Sequence, residues 1–110
     1  MEPILGSGGM TAIPTGYMAA LEENCRKRNM VLIIDEAQTA LGRCGNLFAI
    51  QYEVVVPDIL SLSKTLRNRH PLSEVVTNNE IAAAVEELNF MFYTTHANDP
   101  LPVSVGLKVL

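Results

Sequence analysis

The sequence lacks tryptophan, has only 5% aromatic residues and contains two cysteines. Cys25 and Cys44 form no C-x-x-C pattern and no framework of several bridges, so the chain does not fit a disulfide-stapled secreted domain. We expect both to be small hydrophobic residues in a reduced, cytoplasmic compartment. The first residues show no basic region followed by an apolar stretch, so a secretion signal is not predicted.

Long apolar runs and an excess of positive charge are also absent. No uninterrupted apolar run approaches the roughly 20 residues that a membrane helix needs. The 8 basic and 12 acidic side chains give a formal net charge of −4, and the densest basic group, at 26–28, stands beside Glu22 and Glu23. Nucleic-acid binding requires clustered cations, so neither a membrane nor a nucleic-acid partner is predicted. The 110 residues, 48% of them hydrophobic, indicate at most one small globular domain.

Strand and helix patterns alternate along the chain. Residues 4–9 are typical of a strand end entering a Gly-rich turn, and the sequence at 14–16 precedes a helix of about 12 residues. Glu22 and Glu23 are spaced to pair with Arg26 and Lys27 on its wet side. Residues 30–35 and 59–63 are apolar on both faces, which is typical of strands buried in a parallel sheet.

The last third of the chain predicts one more strand and two helices. A short strand at 74–77 is followed by a helix capped by Asn78 or Asn79. Asp99 and Pro100 favour the start of another helix, which reaches Leu110 without a stop signal. The prediction is an α/β fold, a mainly parallel sheet with flanking helices, in which residues 1–110 form part of a domain truncated at both ends. In the predicted helix that follows the strand at 74–77, the apolar face consists of Ile81, Val85 and Leu88.

An acid and an amine follow the two apolar strands. Asp35 ends the first strand and Lys64 ends the second. Ligands of open parallel sheets lie outside the carboxyl ends of the strands, so both groups are expected in one crevice. One interpretation is a salt bridge between them. The other is a pyridoxal phosphate site, because that coenzyme needs a lysine amine and a carboxylate against its pyridine nitrogen.

Four ordered motifs carry a family resemblance: DEAQT at 35–39, GRCG at 42–45, PDI at 57–59 and LSKTL at 62–66. Together they resemble the signature of the class III, or omega, aminotransferases, which are fold-type I pyridoxal-phosphate enzymes, and the resemblance extends over the whole chain. Within this family the closest resemblance is to the 2,2-dialkylglycine decarboxylases, through SGG at 7–9, GYMAAL at 16–21 and FYTTH at 92–96. The chain then resembles part of the coenzyme-binding large domain.

The resemblance implies three roles at the coenzyme ring. Lys64 would hold the coenzyme as a Schiff base and move the substrate proton. Asp35 would pair with the pyridinium nitrogen, and Gln38 would hydrogen-bond the 3′-oxygen of the ring.

Three further roles concern the surroundings of the ring. Thr95 would bind the coenzyme phosphate of the neighbouring subunit, which implies a homodimer or a dimer of dimers. Glu2 would support the site, and Ser7 would lie near the departing carboxylate, where several aminotransferases of the family carry glutamate. The implied reaction decarboxylates a 2,2-dialkylglycine and transfers its amino group to a 2-oxo acid.

The sequence also departs from the family pattern. RNRH at 67–70 replaces a Gly-rich turn, Ala40 follows Thr39 where glycine is usual, and Cys44 stands where threonine is common. The Gly-rich phosphate segment, the ring-stacking aromatic residue and the substrate-binding arginine would lie outside these residues, so we expect the isolated chain to be inactive. The alternative hypothesis is a truncated non-catalytic remnant or an interaction module.

Other chemistries have weaker support in the sequence. Ser61 and Lys64 form an S-x-x-K pattern, but a strand-like run carries it and no S-D-N or K-T-G partner follows. His70 and His96 have no second ligand at metal-binding spacing, so no metal site is predicted. The turn at 6–9 lacks the G-K-[ST] of a P-loop. Arg43 is open to two interpretations, a cation in a pocket or a cap on a backbone carbonyl.

Overall fold

The computed structural model describes residues 1–67 and 70–110. Strands and helices alternate, which confirms the predicted α/β class. The elements, in chain order, are β1 (Ile4–Leu5), β2 (Thr11–Ala12), α1 (Tyr17–Lys27), β3 (Ile33–Asp35), a 3₁₀ helix (Ala49–Glu53), β4 (Ile59–Leu62), α2 (Lys64–Arg67), β5 (Glu74–Thr77), α3 (Asn79–Glu87) and α4 (Pro100–Val109). No helix within the described part combines the length and apolar character needed to cross a bilayer.

The strands form two sheets. β1 and β2 make a small antiparallel hairpin around the Gly-rich turn, and β3, β4 and β5 form a three-stranded sheet in that order. β3 and β4 are parallel, as predicted, but β5 runs antiparallel to β4. Parallel neighbours need a crossover of a dozen or more residues, usually through a helix. The connection from β4 to β5 runs from residue 63 to residue 73, which is shorter than that, so the chain turns back instead.

Helix α1 has the predicted length and charge pattern. Its 11 residues follow Gly16, which has a φ of 83° and lets the chain turn into the helix. The Arg26 guanidinium lies 2.5 Å from the Glu22 carboxylate, and the Lys27 ammonium lies 2.6 Å from Glu23. Both predicted i,i+4 ion pairs are therefore confirmed, and the basic group at 26–28 belongs to a solvated helix face.

The hydrophobic core lies on one face of the three-stranded sheet. Ile34 on β3 is fully buried, whereas its neighbour Ile33 is 49% exposed. The sequence predicts that the run at 30–35 is buried on both faces. The described residues cover only the face that carries Ile34, so this prediction is not met within this chain. The buried hydrophobic cluster consists of Met18, Cys25, Leu32, Ile34, Ala40, Ile50, Val55, Leu60, Leu62 and Leu66. Cys25 thus packs as a hydrophobic residue, and both cysteines are free thiols.

The last two helices differ in how they attach. Asn78 caps α3, because its side-chain oxygen accepts a hydrogen bond from the Ile81 N–H at 2.9 Å, and none of the residues of α3 is buried. Helix α4 packs against α2, and Gly106 comes so close to Leu72 that an added Cβ would lie 2.5 Å from Leu72 Cδ2. The Asp99 carboxylate at the start of α4 does not cap it and instead lies 3.3 Å from Nδ1 of His96.

Candidate active site at the carboxyl edge of β3 and β4

The parallel register brings the predicted acid and amine to one edge of the sheet. Asp35, the last residue of β3, pairs with Ser61 of β4. Lys64 follows Ser61 by three positions and is the first residue of α2, just beyond the strand, which ends at Leu62, one residue earlier than predicted. Both groups are exposed at this carboxyl edge, where open parallel sheets bind ligands.

A cavity of about 250 Å³ opens beside the lysine. Its lining residues are Gln38, Arg43, Lys64 and Thr65. The structure therefore brings Gln38 and Lys64 together, as the sequence motifs imply, whereas Asp35, expected in the same crevice as Lys64, does not line this cavity. Arg43 lies at the cavity, and no hydrogen bond from its guanidinium to a backbone carbonyl is found within the described residues. Of its two interpretations, the pocket cation is the one that the geometry favours.

The salt bridge between Asp35 and Lys64 is not formed. The ion pairs among the described residues join other side chains, in α1 and at the start of α4. Asp35 Oδ1 instead accepts a hydrogen bond from the Ala37 N–H at 2.9 Å, which orients the carboxylate across the turn after β3. The other carboxylate oxygen, Oδ2, makes no hydrogen bond within the described part, so it is available to a cationic ligand.

The sequence analysis missed the structural role of Glu36. Its side chain is only 1% exposed, yet every polar atom is satisfied: Oε1 accepts from the Ile50 N–H at 2.7 Å, and Oε2 accepts from the Ala49 N–H at 3.0 Å and from the Thr39 hydroxyl at 2.6 Å. The carboxylate thus joins the turn carrying Gln38 to the start of the 3₁₀ helix. The available signal was the strand period of two, which places Asp35 and Glu36 on opposite faces.

The first residues of the chain run alongside β3 toward the same edge. The Met1 amine donates to the Ile33 carbonyl at 2.9 Å, and the Asp35 N–H donates to the Met1 carbonyl at 2.8 Å. Glu2 follows, and its Oε2 accepts a hydrogen bond from the Gly6 N–H at 3.0 Å. This places the β1–β2 turn next to the site.

None of the three predicted residues of the surroundings, Glu2, Ser7 and Thr95, lines the lysine cavity. Ser7 is exposed in the β1–β2 turn, and Thr95 is exposed in a turn between α3 and α4. Residues flanking Thr95 line a different, larger cavity of about 510 Å³, which includes Thr94, His96 and Ser63. The role of Thr95 at the neighbouring subunit stays a prediction.

The competing chemistries do not fit the geometry. Ser61 of the S-x-x-K pattern pairs with Asp35 and Val75 inside the sheet, whereas that pattern requires its serine at a helix start. Within residues 1–67 and 70–110, no three His, Cys, Asp or Glu side chains are grouped to hold a metal ion. Of the divergent RNRH segment, Asn68 and Arg69 lie outside the described residues, so its effect on the site stays a prediction.

Comparison with known proteins identifies the class. Among solved structures, an ornithine aminotransferase of Toxoplasma gondii, whose report notes partial occupancy of PLP at its active site, superimposes with a TM-score of 0.90 at 34% identity, over 99% of this chain and 25% of that one. An ornithine aminotransferase of Plasmodium yoelii gives 0.89 at 30% identity, over 99% of this chain and 29% of that one. The fold is that of the fold-type I pyridoxal-phosphate enzymes.

The family follows from the sequence comparisons. A sequence model of the aminotransferase class-III family matches residues 1–110. An uncharacterized aminotransferase of Schizosaccharomyces pombe is 48% identical over all of this chain and 25% of its own length. An acetylornithine/succinyldiaminopimelate aminotransferase of Buchnera aphidicola is 36% identical over all of this chain and 26% of its own. The chain belongs to the class III aminotransferases and spans about a quarter of the length of these relatives.

The cofactor of this family is pyridoxal phosphate, and the described residues fit it. The coenzyme needs an amine for its aldehyde, and the exposed Lys64 supplies one at the cavity. It needs a carboxylate for its pyridine nitrogen, and Asp35 offers an unengaged oxygen on the adjacent strand. A carboxamide, that of Gln38, lies between them in the chain and lines the same cavity.

Proposed function

We propose that the protein carrying this chain is a pyridoxal-phosphate-dependent aminotransferase that transfers an amino group from an amino acid to a 2-oxo acid. The observation that supports this most strongly is the juxtaposition of Lys64 and Gln38 in one cavity, with Asp35 at the end of the neighbouring parallel strand. Membership of the class III family supports the same reaction.

Each side chain at the strand edge has a distinct task in this reaction. The Lys64 amine would hold the coenzyme covalently and would carry the proton to and from the substrate carbon. Asp35 presents its free oxygen to the ring nitrogen and favours the protonated form of that nitrogen. Gln38 would hold the ring oxygen by a hydrogen bond. When bound, the coenzyme supplies an electron sink for the pair released at the substrate carbon.

For the amino donor, we infer a 2,2-dialkylglycine that loses its carboxylate as carbon dioxide. This inference depends on Ser7, a small neutral side chain that is exposed in the β1–β2 turn beside the site. A glutamate at this position would repel a substrate carboxylate, whereas serine can donate a hydrogen bond to it. The curated relatives and solved structures named above include ornithine and acetylornithine aminotransferases, so the donor has to be measured.

Two further proposals follow from the family. Thr95, exposed on the turn before α4, would contact the coenzyme phosphate of a partner subunit, so the working enzyme would be a homodimer or a dimer of dimers. We also propose a cytoplasmic location. The competing hypothesis is a non-catalytic remnant, which would retain the fold without binding the coenzyme.

The chain offers an internal control for a direct test, because it contains three lysines, Lys27, Lys64 and Lys108. The complete protein that carries this chain is purified and incubated with pyridoxal phosphate, its visible absorbance is recorded, and the complex is reduced with borohydride and mapped by peptide mass. We expect the label on Lys64, since Lys27 is engaged with Glu23. Lys64→Ala should remove the absorbance band, and Lys108→Ala should leave it. A label spread over all three lysines, or none in the folded protein, would favour the remnant.

The donor is tested with the coenzyme-loaded protein. 2-Aminoisobutyrate, the simplest 2,2-dialkylglycine, should release carbon dioxide in the presence of pyruvate, and L-ornithine should not be consumed. Ser7→Glu should abolish the release while the coenzyme still loads onto Lys64. If wild-type protein consumes ornithine and releases no carbon dioxide, the decarboxylating reaction is wrong and the aminotransferase proposal stands.

A further inference from the structure

The Gly6 backbone and the Gln38 side chain are in unusually close contact. A Cβ placed on Gly6 would lie 2.5 Å from Gln38 Nε2, 2.9 Å from Cδ and 3.1 Å from Oε1. All three near atoms belong to the carboxamide group. The place that a side chain of residue 6 would occupy is therefore filled by the functional end of Gln38.

The turn that carries Gly6 is held in place from two sides. Glu2 Oε2 accepts the Gly6 N–H at 3.0 Å, and the Leu5 carbonyl accepts hydrogen bonds from the Gly8 N–H at 3.2 Å and the Met10 N–H at 3.0 Å. Met1 in turn is bonded to both Ile33 and Asp35. The surface against which the Gln38 carboxamide rests is thus linked to β3 through the Glu2 carboxylate and the hydrogen bonds of Met1.

The position of Gln38 is also limited from its other side. Glu36, buried two residues earlier, accepts the Thr39 hydroxyl at 2.6 Å and the Ile50 N–H at 2.7 Å, so the backbone around Gln38 has little freedom. The side chain then extends between the Gly6 backbone and the cavity that it shares with Lys64.

We propose that Gly6 is a positioning residue for Gln38: by lacking a side chain, it gives the carboxamide a flat backbone surface that orients it toward the Lys64 cavity. The proposal rests on the proposed function, because it assumes a coenzyme bound at Lys64. It adds that the β1–β2 turn sets the electronic environment of the ring oxygen through Gln38, without touching the coenzyme itself.

The test compares Gly6→Ala with Gln38→Ala and with Gly8→Ala. A Cβ at Gly8 would meet Leu5 Cβ at 3.1 Å and not Gln38, so this variant changes the same turn without disturbing the carboxamide. The readout is the pH titration of the visible absorbance of the coenzyme bound to Lys64. A hydrogen bond donated to the ring oxygen stabilises the deprotonated form of the coenzyme bound to Lys64. Removal of that donor should therefore raise the pKa of the bound coenzyme, which is read from the absorbance.

We expect Gly6→Ala to raise that pKa in the same direction as Gln38→Ala, and the double variant to match Gln38→Ala without a further shift. Non-additivity of this kind is the mark of two residues that act through one contact. A Gly6→Ala titration that matches Gly8→Ala, or shifts that add in the double variant, would overturn the proposal. Absence of the visible band in wild-type protein would instead count against the proposed function.

A second measurement needs no coenzyme. If Gly6→Ala impairs folding, the addition of Gln38→Ala removes the three atoms nearest to the new methyl group and should restore the urea midpoint to that of Gln38→Ala alone. Restoration supports the contact between the two residues. A midpoint that stays low in the double variant would show that Gly6 is needed for the turn itself, and the positioning role would be wrong.

Discussion

The Glu36 carboxylate and the Ile50 N–H are joined by a 2.7 Å hydrogen bond across a loop of 14 residues. The Ala49 N–H and the Thr39 hydroxyl also donate to this carboxylate, so the buried Glu36 side chain accepts three hydrogen bonds. Hydrogen bonds to a buried charge are among the stronger ones in proteins, and a donor left unpaired in the interior is costly.

The first prediction concerns this buried carboxylate. In Glu36→Gln one acceptor oxygen becomes an NH₂ group, which faces N–H and O–H donors and cannot accept from them. We expect a loss of about 1–3 kcal/mol in the free energy of unfolding, measured by urea titration. The matched control is Glu23→Gln, whose carboxylate pairs with Lys27 and is 65% exposed, and which should change stability by less than about 1 kcal/mol. Equal losses in the two variants would contradict the role of Glu36.

The second prediction concerns the ring nitrogen. Asp35→Asn keeps an oxygen for the Ala37 N–H but removes the negative charge, so the turn stays intact while the anionic partner proposed for the ring nitrogen is lost. A hydrogen bond to a charged group contributes about 1.5–3 kcal/mol, so coenzyme affinity should fall about 10- to 100-fold. Absorbance titration with pyridoxal phosphate measures it. As a control, Asp99→Asn changes an exposed carboxylate near His96 and should leave affinity unchanged.

The third prediction decides between two adjacent asparagines. Asn78 caps α3 through the Ile81 N–H, whereas Asn79 is already the first helical residue. Asn78→Ala should therefore weaken α3 by about 1 kcal/mol, which amide hydrogen exchange within the helix can detect. Asn79→Ala should leave the exchange rates unchanged or slow them slightly, because alanine is the better helix former. A larger effect from Asn79→Ala would mean that the helix begins one residue later.

The fourth prediction separates backbone strain from a side-chain contact in the loop after β3. Gly42 and Gly45 have φ values of 82° and 97°, so alanine should cost about 1–2 kcal/mol at either position. At Gly45 a Cβ would also lie 2.9 Å from the Tyr52 hydroxyl, whereas nothing lies within 4 Å at Gly42. That hydroxyl donates to the Cys44 carbonyl at 2.6 Å, so Gly45→Ala should be the more destabilising.

Urea titration of both glycine variants measures the difference. Tyr52→Phe removes the hydroxyl oxygen that the new Cβ would approach. In that background, the loss of stability caused by Gly45→Ala, relative to Tyr52→Phe alone, should fall to that of Gly42→Ala. If the two glycine variants are equally stable in the wild-type background, the Tyr52 contact does not constrain the loop.

Sequence reasoning succeeded where the signal is local. The i,i+4 pairs of α1, the strand at 74–77 and an asparagine cap at 78 or 79 all depend on residues within one turn or one strand; the structure confirms them and selects Asn78 as the cap. The motif resemblance identified the family and predicted that Gln38 and Lys64 lie at one site, and the structure places both at one cavity. These features need no knowledge of how distant segments meet.

The features that could not be predicted join distant segments. The burial of Glu36 depends on residues 13 and 14 positions later, and the contact of Gly6 with Gln38 spans the whole of α1 and β3. The direction of β5 depended on how few residues connect it to β4. The exposed outer face of Ile33 could not be foreseen either, because an apolar run does not reveal what covers it.

The connection lengths around β4 also bear on the order in which the protein folds. Ser63 and Leu72, at the β5 side, are 9 residues apart and linked by a hydrogen bond, whereas Leu32 and Asp58, at the β3 side, are 26 apart. Closing the longer loop costs about 1 kcal/mol more in chain entropy. We therefore expect β4 and β5 to pair early and β3 to join afterwards. The edge that carries Asp35 and Lys64 would be completed late in folding, so the protein would acquire its capacity for the coenzyme only after most of the sheet has formed.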